Sequence, residues 1–171
     1  MKRRTVLVGA GTMSAVVGGS FFYWPRRWDQ IIIHHSAGNH ATVETLRQVR
    51  RDRQPNTLIN AIPYHYVIGN GNGIPLGEVV ETTRVKYDLW GAHVANRRRN
   101  LVALGICLVG NFEHVEVPSK QFDAAVALTR SLMQRYAIPP QRVTPHGETP
   151  GEATKCPGAK FPFNSFLRAI S

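Results

Sequence analysis

The chain has 171 residues, 43% hydrophobic and 19% charged, with a formal net charge of +10. This length supports one domain with a substantial core and is short for two, and the composition excludes a disordered chain. The positive balance suits an anionic partner, whether nucleic acid, a phospholipid surface or an acidic wall polymer, and does not choose among them.

Residues 1–28 read as a segment outside the fold. Lys2-Arg3-Arg4 is a basic start, Thr5 to Trp24 is uncharged and mostly apolar, and Pro25-Arg26-Arg27 closes the stretch. This is the layout of an export signal. The pair Arg3-Arg4 resembles a twin-arginine signal. The cleavage pattern is poor, so an uncleaved membrane anchor stays an alternative, since about 20 apolar residues can span a bilayer. The protein is expected outside the cytoplasm, in the periplasm or cell envelope, as a monomer with its domain at 29–171.

Asp29 to His35 reads as the first core strand, with three consecutive isoleucines. Thr42 can cap a helix whose apolar face is Val43, Leu46, Val49 and the stem of Arg50. Arg47, Arg50, Arg51 and Arg53 then form a basic face, either solvated or in contact with an anionic polymer. Ile62 to Ile68 reads as a strand entering the glycine-rich turn 69–73, and Ile74 to Glu81 as its hairpin partner. Leu89 to Val94 reads as a loop and Arg97 to Asn100 as a polar connection. Val102 to Val109 is the most apolar strand and is expected at the sheet centre, with Cys107 as a small core residue. Ser119 is the expected N-cap of a long helix that stops before Pro139-Pro140. Phe163 to Ile170 reads as a closing helix. Strands and helices alternate, which predicts an α/β domain with a central mixed β-sheet flanked by helices.

The chemistry-bearing stretch is His146 to Cys156, a polar loop punctuated by glycine and proline. Loops on a rigid scaffold often carry function. His34, at the end of the first strand, adds a third donor to His146 and Cys156. Two imidazoles and a thiolate suit zinc, with a fourth position open to water. Bound zinc acidifies water and polarises a carbonyl, the two things that amide hydrolysis lacks. Spacing alone does not single out a metal site, since nine residues between His146 and Cys156 is not a zinc-finger interval.

Five motifs occur in a recognisable order: His34-His35-Ser36-Ala37, Pro63-Tyr64-His65-Tyr66-Val67-Ile68, Gly91-Ala92-His93, Gly105 to Asn111, and His146 to Gly158. Together the chain resembles the type 2 N-acetylmuramoyl-L-alanine amidases, which include phage lysozyme-type amidases and animal peptidoglycan recognition proteins. The resemblance covers about Gln30 to Pro162. It implies a zinc hydrolase that cuts the amide between N-acetylmuramic acid and L-alanine in peptidoglycan. His34, His146 and Cys156 match the family's metal ligands and Tyr64 its catalytic tyrosine. Thr154 sits where the family places an assisting lysine or threonine. The loop before Cys156 is longer than the family's usual spacing, so Lys155 is an alternative to Thr154. Where intracellular recycling amidases carry a glutamate, this strand has Cys107, which favours action on the wall polymer.

Further expectations concern the surroundings. His93, Trp90 and Asn111 are read as groove residues that meet substrate. His65 is a candidate for holding a ligand or Tyr64, and Glu148 for orienting a ligand. A second reading is a peptidoglycan-binding module without turnover, against which the presence of Cys156 counts. A nucleic-acid binder fits poorly, because the arginine runs lack interleaved aromatics and the histidine–cysteine set would go unexplained.

Overall fold

A computed structural model of the chain describes residues 28–53 and 61–171. The expected leader therefore lies outside the described residues, apart from Trp28. Among the described residues no helix is long and apolar enough to cross a membrane.

Strand β1 (Gln30–His35) is buried along its whole length and lies parallel to both β4 (Ala103–Leu108) and β5 (Val143–Pro145). Strand β2 (Tyr66–Ile68) runs parallel to β4 and antiparallel to β3 (Val79–Glu81). The resulting five-stranded mixed sheet has the order β3-β2-β4-β1-β5. The most apolar strand of the sequence, β4, is its middle strand, as expected. Parallel strands covered on both faces read as continuous apolar runs, which is why β1 and β4 show no alternation.

The described helices are α1 (Val43–Arg53), α2 (Thr83–Lys86), α3 (Arg97–Val102), α4 (Ser119–Tyr136) and α5 (Phe163–Ile170). Successive strand residues point to opposite faces. Ile31, Ile33, Leu104, Ile106 and Leu108 pack with Ala125 and Leu132 of α4 and Phe166 and Ile170 of α5 in the main core. The other face carries Ile32 with Val94 and Ala103, and Val67 with Ile62 and Val109. His34 follows Ile32 onto this second face, which is the side that holds the site.

Several boundaries differ from the sequence expectations for local reasons. The strand expected from Ile62 begins only at Tyr66, because residues 61–65 bend to bring Tyr64 beside His34. Its hairpin partner shortens to Val79–Glu81, because Gly71, Gly73 and Gly77 all take positive φ in a long loop. Arg97–Val102 is a helix rather than a polar connection, since the Asn96 carboxamide oxygen accepts from the N–H groups of Arg98 and Arg99. Helix α4 begins after Pro118, so Ser119 is its first residue and not its cap. It ends at Ala137, which adopts a left-handed conformation with φ of 54°. Strand β5 gives no clear sequence signal, because proline and polar residues mask a buried edge.

Candidate metal centre

Position in the sheet explains the first donor. His34 lies near the end of β1, opposite Cys107 of β4, and is 1% exposed. Strand β5 runs beside β1 and leads directly into the 3-10 turn His146–Glu148, so His146 arrives next to His34. The two imidazole centroids are 4.4 Å apart. The loop then returns, and the Gly147 N–H donates to the Cys156 carbonyl at 2.8 Å. That closure brings Cys156 to the same place. One donor atom from each of His34, His146 and Cys156 lies within 4.8 Å of the others.

The second nitrogen of each histidine has a polar neighbour. His34 Nε2 lies 3.0 Å from His93 Nδ1, whose opposite nitrogen is 3.2 Å from the Ala103 carbonyl. This leaves His34 Nδ1 facing the Cys156 sulfur at 4.0 Å. His146 Nε2 lies 3.0 Å from a Glu152 carboxylate oxygen, though not aligned as a hydrogen bond. The other Glu152 oxygen accepts from the Ala95 N–H. Glu152 therefore joins the ligand loop to the loop that carries His93.

Electrostatics favour neutral imidazoles. Burial lowers the pKa of His34 well below its ordinary value, and neighbouring histidines lower it further. Burial also lowers His146, with Glu152 opposing. Cys156 is pushed up to about 12 by burial, and the His35 N–H that reaches its sulfur at 3.3 Å opposes this. Two neutral imidazoles are ready ligands, and a buried thiol gives up its proton only to a strong cation. The donor set fits zinc, which takes nitrogen and sulfur ligands and would keep one position open here.

Tyr64 stands over this cluster, its ring centroid 5.0 Å from that of His34. A cavity of about 200 Å³ opens beside it, lined among others by Ser36, Arg50, Tyr64, His93 and His146. Buried Arg84 holds the walls together. Its Nε donates to the Ile62 carbonyl at 2.6 Å and its Nη1 to the Trp90 carbonyl. The Ala92 N–H adds a bond to the Pro63 carbonyl at 3.0 Å. The Tyr64 and His93 loops are thereby fastened to each other.

Other expected site residues fall in different places. His93 touches the cavity, yet it is 7% exposed and its main contact is His34. It thus borders the cavity and at the same time backs His34. His65 is fully buried one layer further out. Its Nδ1 accepts from the Gly105 N–H at 3.0 Å, its Nε2 lies 3.1 Å from the Leu89 carbonyl, and its ring meets His93 edge-on. Glu148 lies in the turn itself, and the carboxylate beside His146 is instead that of Glu152. Glu148 lines the cavity shared with Cys156, and the returning loop brings Glu152 to His146. Thr154 and Lys155 are exposed along a different cavity, with Gly147 and Cys156. The Thr154 hydroxyl accepts from the Cys156 N–H at 3.2 Å, so it supports the ligand loop. Trp90 is 47% exposed over a larger opening shared with Arg97 and Arg98. Asn111 accepts from the Glu113 N–H in the turn after β4, and its side chain serves that turn. Cys107 and Cys156 are both free thiols.

Sequence reasoning missed two glycines. A Cβ on Gly105 would lie 2.6 Å from the His93 ring, and one on Gly91 would lie 2.5 Å from it. The imidazole is seated between two backbones that only glycine lets approach this closely.

Comparison with known proteins agrees with this geometry. A family model described as N-acetylmuramoyl-L-alanine amidase matches residues 24–159. A peptidoglycan-recognition protein of Drosophila melanogaster is 31% identical over 134 residues, covering 75% of this chain and 67% of that protein. Among solved structures, the endolysin N-acetylmuramoyl-L-alanine amidase LysCS from Clostridium intestinale superposes with a TM-score of 0.69 at 24% identity, covering 86% of each chain. Bumblebee PGRP-SA superposes with a TM-score of 0.62 at 23% identity, covering 81% of this chain and 80% of that one. At these identities the structural likeness speaks for the fold, while the matched sequence model carries the assignment. With its histidine–cysteine cluster placed on that fold, the chain belongs to the N-acetylmuramoyl-L-alanine amidase family.

Proposed function

We propose that this protein is a zinc-dependent amidase that hydrolyses the bond between N-acetylmuramic acid and L-alanine in peptidoglycan or its fragments, outside the cytoplasm. The observation that carries this reading is the convergence of His34, His146 and Cys156 within 4.8 Å, on elements far apart in sequence. Bound there, zinc supplies Lewis-acid polarisation of the scissile carbonyl and an acidified water.

The chain's own residues do the rest. His34 and His146 present neutral nitrogens, and Cys156 balances one positive charge. Tyr64, whose ring lies 5.0 Å from that of His34 and whose hydroxyl meets the Cys107 thiol, would turn its phenolic hydrogen to the oxygen that gains charge as the amide carbon becomes tetrahedral. Such a donor is typically worth about 10²–10³ in rate. The Arg84 clamp holds the Tyr64 and His93 loops at a fixed width, so the scissile group meets a formed site. Thr154 and Lys155 edge the ligand loop, from which the Lys155 ammonium could meet an anionic part of the substrate. The basic start and apolar stretch of residues 1–24 support export, with membrane tethering if the segment is retained.

The test is digestion of purified peptidoglycan followed by mass spectrometry. Free stem peptides with an L-alanine amino terminus are expected, and a chelator should stop their release. Cys156→Ser should lose both zinc and release. Retained wall binding with no release by the zinc-loaded wild type would instead establish a recognition module.

A further inference from the structure

Helix α1 carries four arginines, and one of them differs from its neighbours. Arg47 and Arg51 both pair with Glu44 on the outer face, at 3.5 and 2.8 Å. Arg50 faces inward beside Leu46, lines the cavity with Tyr64, His93 and His146, and is 8% exposed. Among the described residues its guanidinium has no hydrogen-bond or ion-pair partner, and its Nε is enclosed by protein. The other buried guanidinium of this region, Arg84, directs its donors to carbonyls. The cavity wall therefore holds an unpaired cation.

An enclosed hydrogen-bond donor without a partner is costly. Burial accordingly lowers the Arg50 pKa from the usual guanidinium value, with Tyr64 opposing. The planar fork of arginine matches a carboxylate with two parallel hydrogen bonds. The described residues offer Arg50 no carboxylate here, so a carboxylate that matches the fork would be a ligand's.

We propose that Arg50 is the cleft's carboxylate receptor, engaging a free α-carboxylate on the second residue of the stem peptide. This rests on the amidase reading given above. One residue spans at most about 3.6 Å, so a group sharing a small cavity with Tyr64 and His146 meets the first or second stem residue. The first, alanine, has no side-chain charge. A glutamyl second residue, linked through its side chain, is the nearest that presents a carboxylate. The enzyme thus distinguishes walls in which that carboxylate is free from walls in which it is amidated.

The experiment measures kcat/KM of the zinc-loaded full chain on two muropeptides that differ only in a free or amidated α-carboxylate at the second stem residue. The free acid is expected to be preferred by roughly ten- to hundred-fold, the range for a charge-assisted pair in a partly enclosed site. Arg50→Gln should slow cleavage of the free acid far more than that of the amide, collapsing the preference. Arg50→Lys, which keeps the charge and loses the fork, should retain part of it and covers the case in which the glutamine variant fails to fold. Equal cleavage of both substrates by the wild type would overturn this proposal while leaving the amidase intact. An undiminished preference in Arg50→Gln would also overturn it. Cleavage of neither substrate would sink both readings.

Discussion

His93 hands a fixed hydrogen order to His34. One His93 nitrogen lies 3.2 Å from the Ala103 carbonyl, which can only accept, so that nitrogen carries the hydrogen. The other, 3.0 Å from His34 Nε2, is then bare and accepts from it. His34 is left with a bare Nδ1 on the side of Cys156. A backbone carbonyl of β4 thus decides, through one imidazole, which nitrogen of the ligand is offered to metal. Burial holds the His93 pKa at about 3, so the relay stays neutral over the physiological range.

His93→Ala should therefore weaken zinc binding by about 10–100-fold, the usual effect of losing a group that orients a ligand. Chelator competition on the purified protein reads this directly. An unchanged zinc affinity would show that His34 chooses its tautomer unaided.

Gly105→Ala tests the seat of that ring. The added methyl would come within 2.6 Å of His93, and a forced repacking of this kind typically costs about 1–3 kcal/mol. Both the melting temperature and zinc retention should fall. A drop in melting temperature with normal zinc retention would separate the seat from the ligand.

Glu152→Gln keeps the shape of the side chain and removes its charge beside His146. Zinc affinity should fall by about tenfold or more, as for other groups that orient a ligand. Glu148→Gln, which does not pair with His146, should leave it unchanged. The reverse ranking would restore Glu148 as the orienting carboxylate.

Tyr64→Phe removes the one hydroxyl of a ring that lies against His34. Turnover should fall by about 10²–10³ with zinc content intact. Wild-type turnover in this variant would reduce Tyr64 to a packing ring.

Acid should destabilise the zinc-free protein in a defined window. His34, His93 and His146 all have folded-state pKa values lowered by burial, His93 to about 3. Below the ordinary histidine pKa near 6.5 the unfolded chain binds more protons than the folded one. Stability is then full above about pH 6.5 and is lost as pH falls below it, by up to about 1.4 kcal/mol per pH unit for each such histidine. Chemical unfolding between about pH 8 and pH 4 in the presence of a chelator measures the slope. A flat profile would mean that these rings are not buried neutral.

Much of the scaffold could be read from residue patterns alone. Three isoleucines before His34 mark a buried strand, and the spacing from Phe122 to Tyr136 marks α4. The three donors were legible because their types, histidine and cysteine, are rare and chemically narrow. Roles that depend on where a side chain ends in space were not legible. Glu148 stands nearer His146 in sequence, yet the loop's return brings Glu152 to it. The contact of His93 with His34 was not legible, because nothing in Gly91-Ala92-His93 tells that Gly105, far along the chain, clears space for its ring. Asn96 does carry a readable signal, an N-cap residue ahead of α3, which the arginine run obscures.

The two faces of the sheet carry separate duties. One is filled by α4 and α5 over Ile31 and Ile33, and the other bears His34 and the cleft. Exposed positions on the cleft side can therefore vary, to accept a different peptide or a differently modified wall, while the Ile31–Ile33 face stays packed, provided Ile62, Val94 and Arg84 are kept. Changing the exposed side chains between those anchors, and leaving the anchors in place, is the route to altered selectivity.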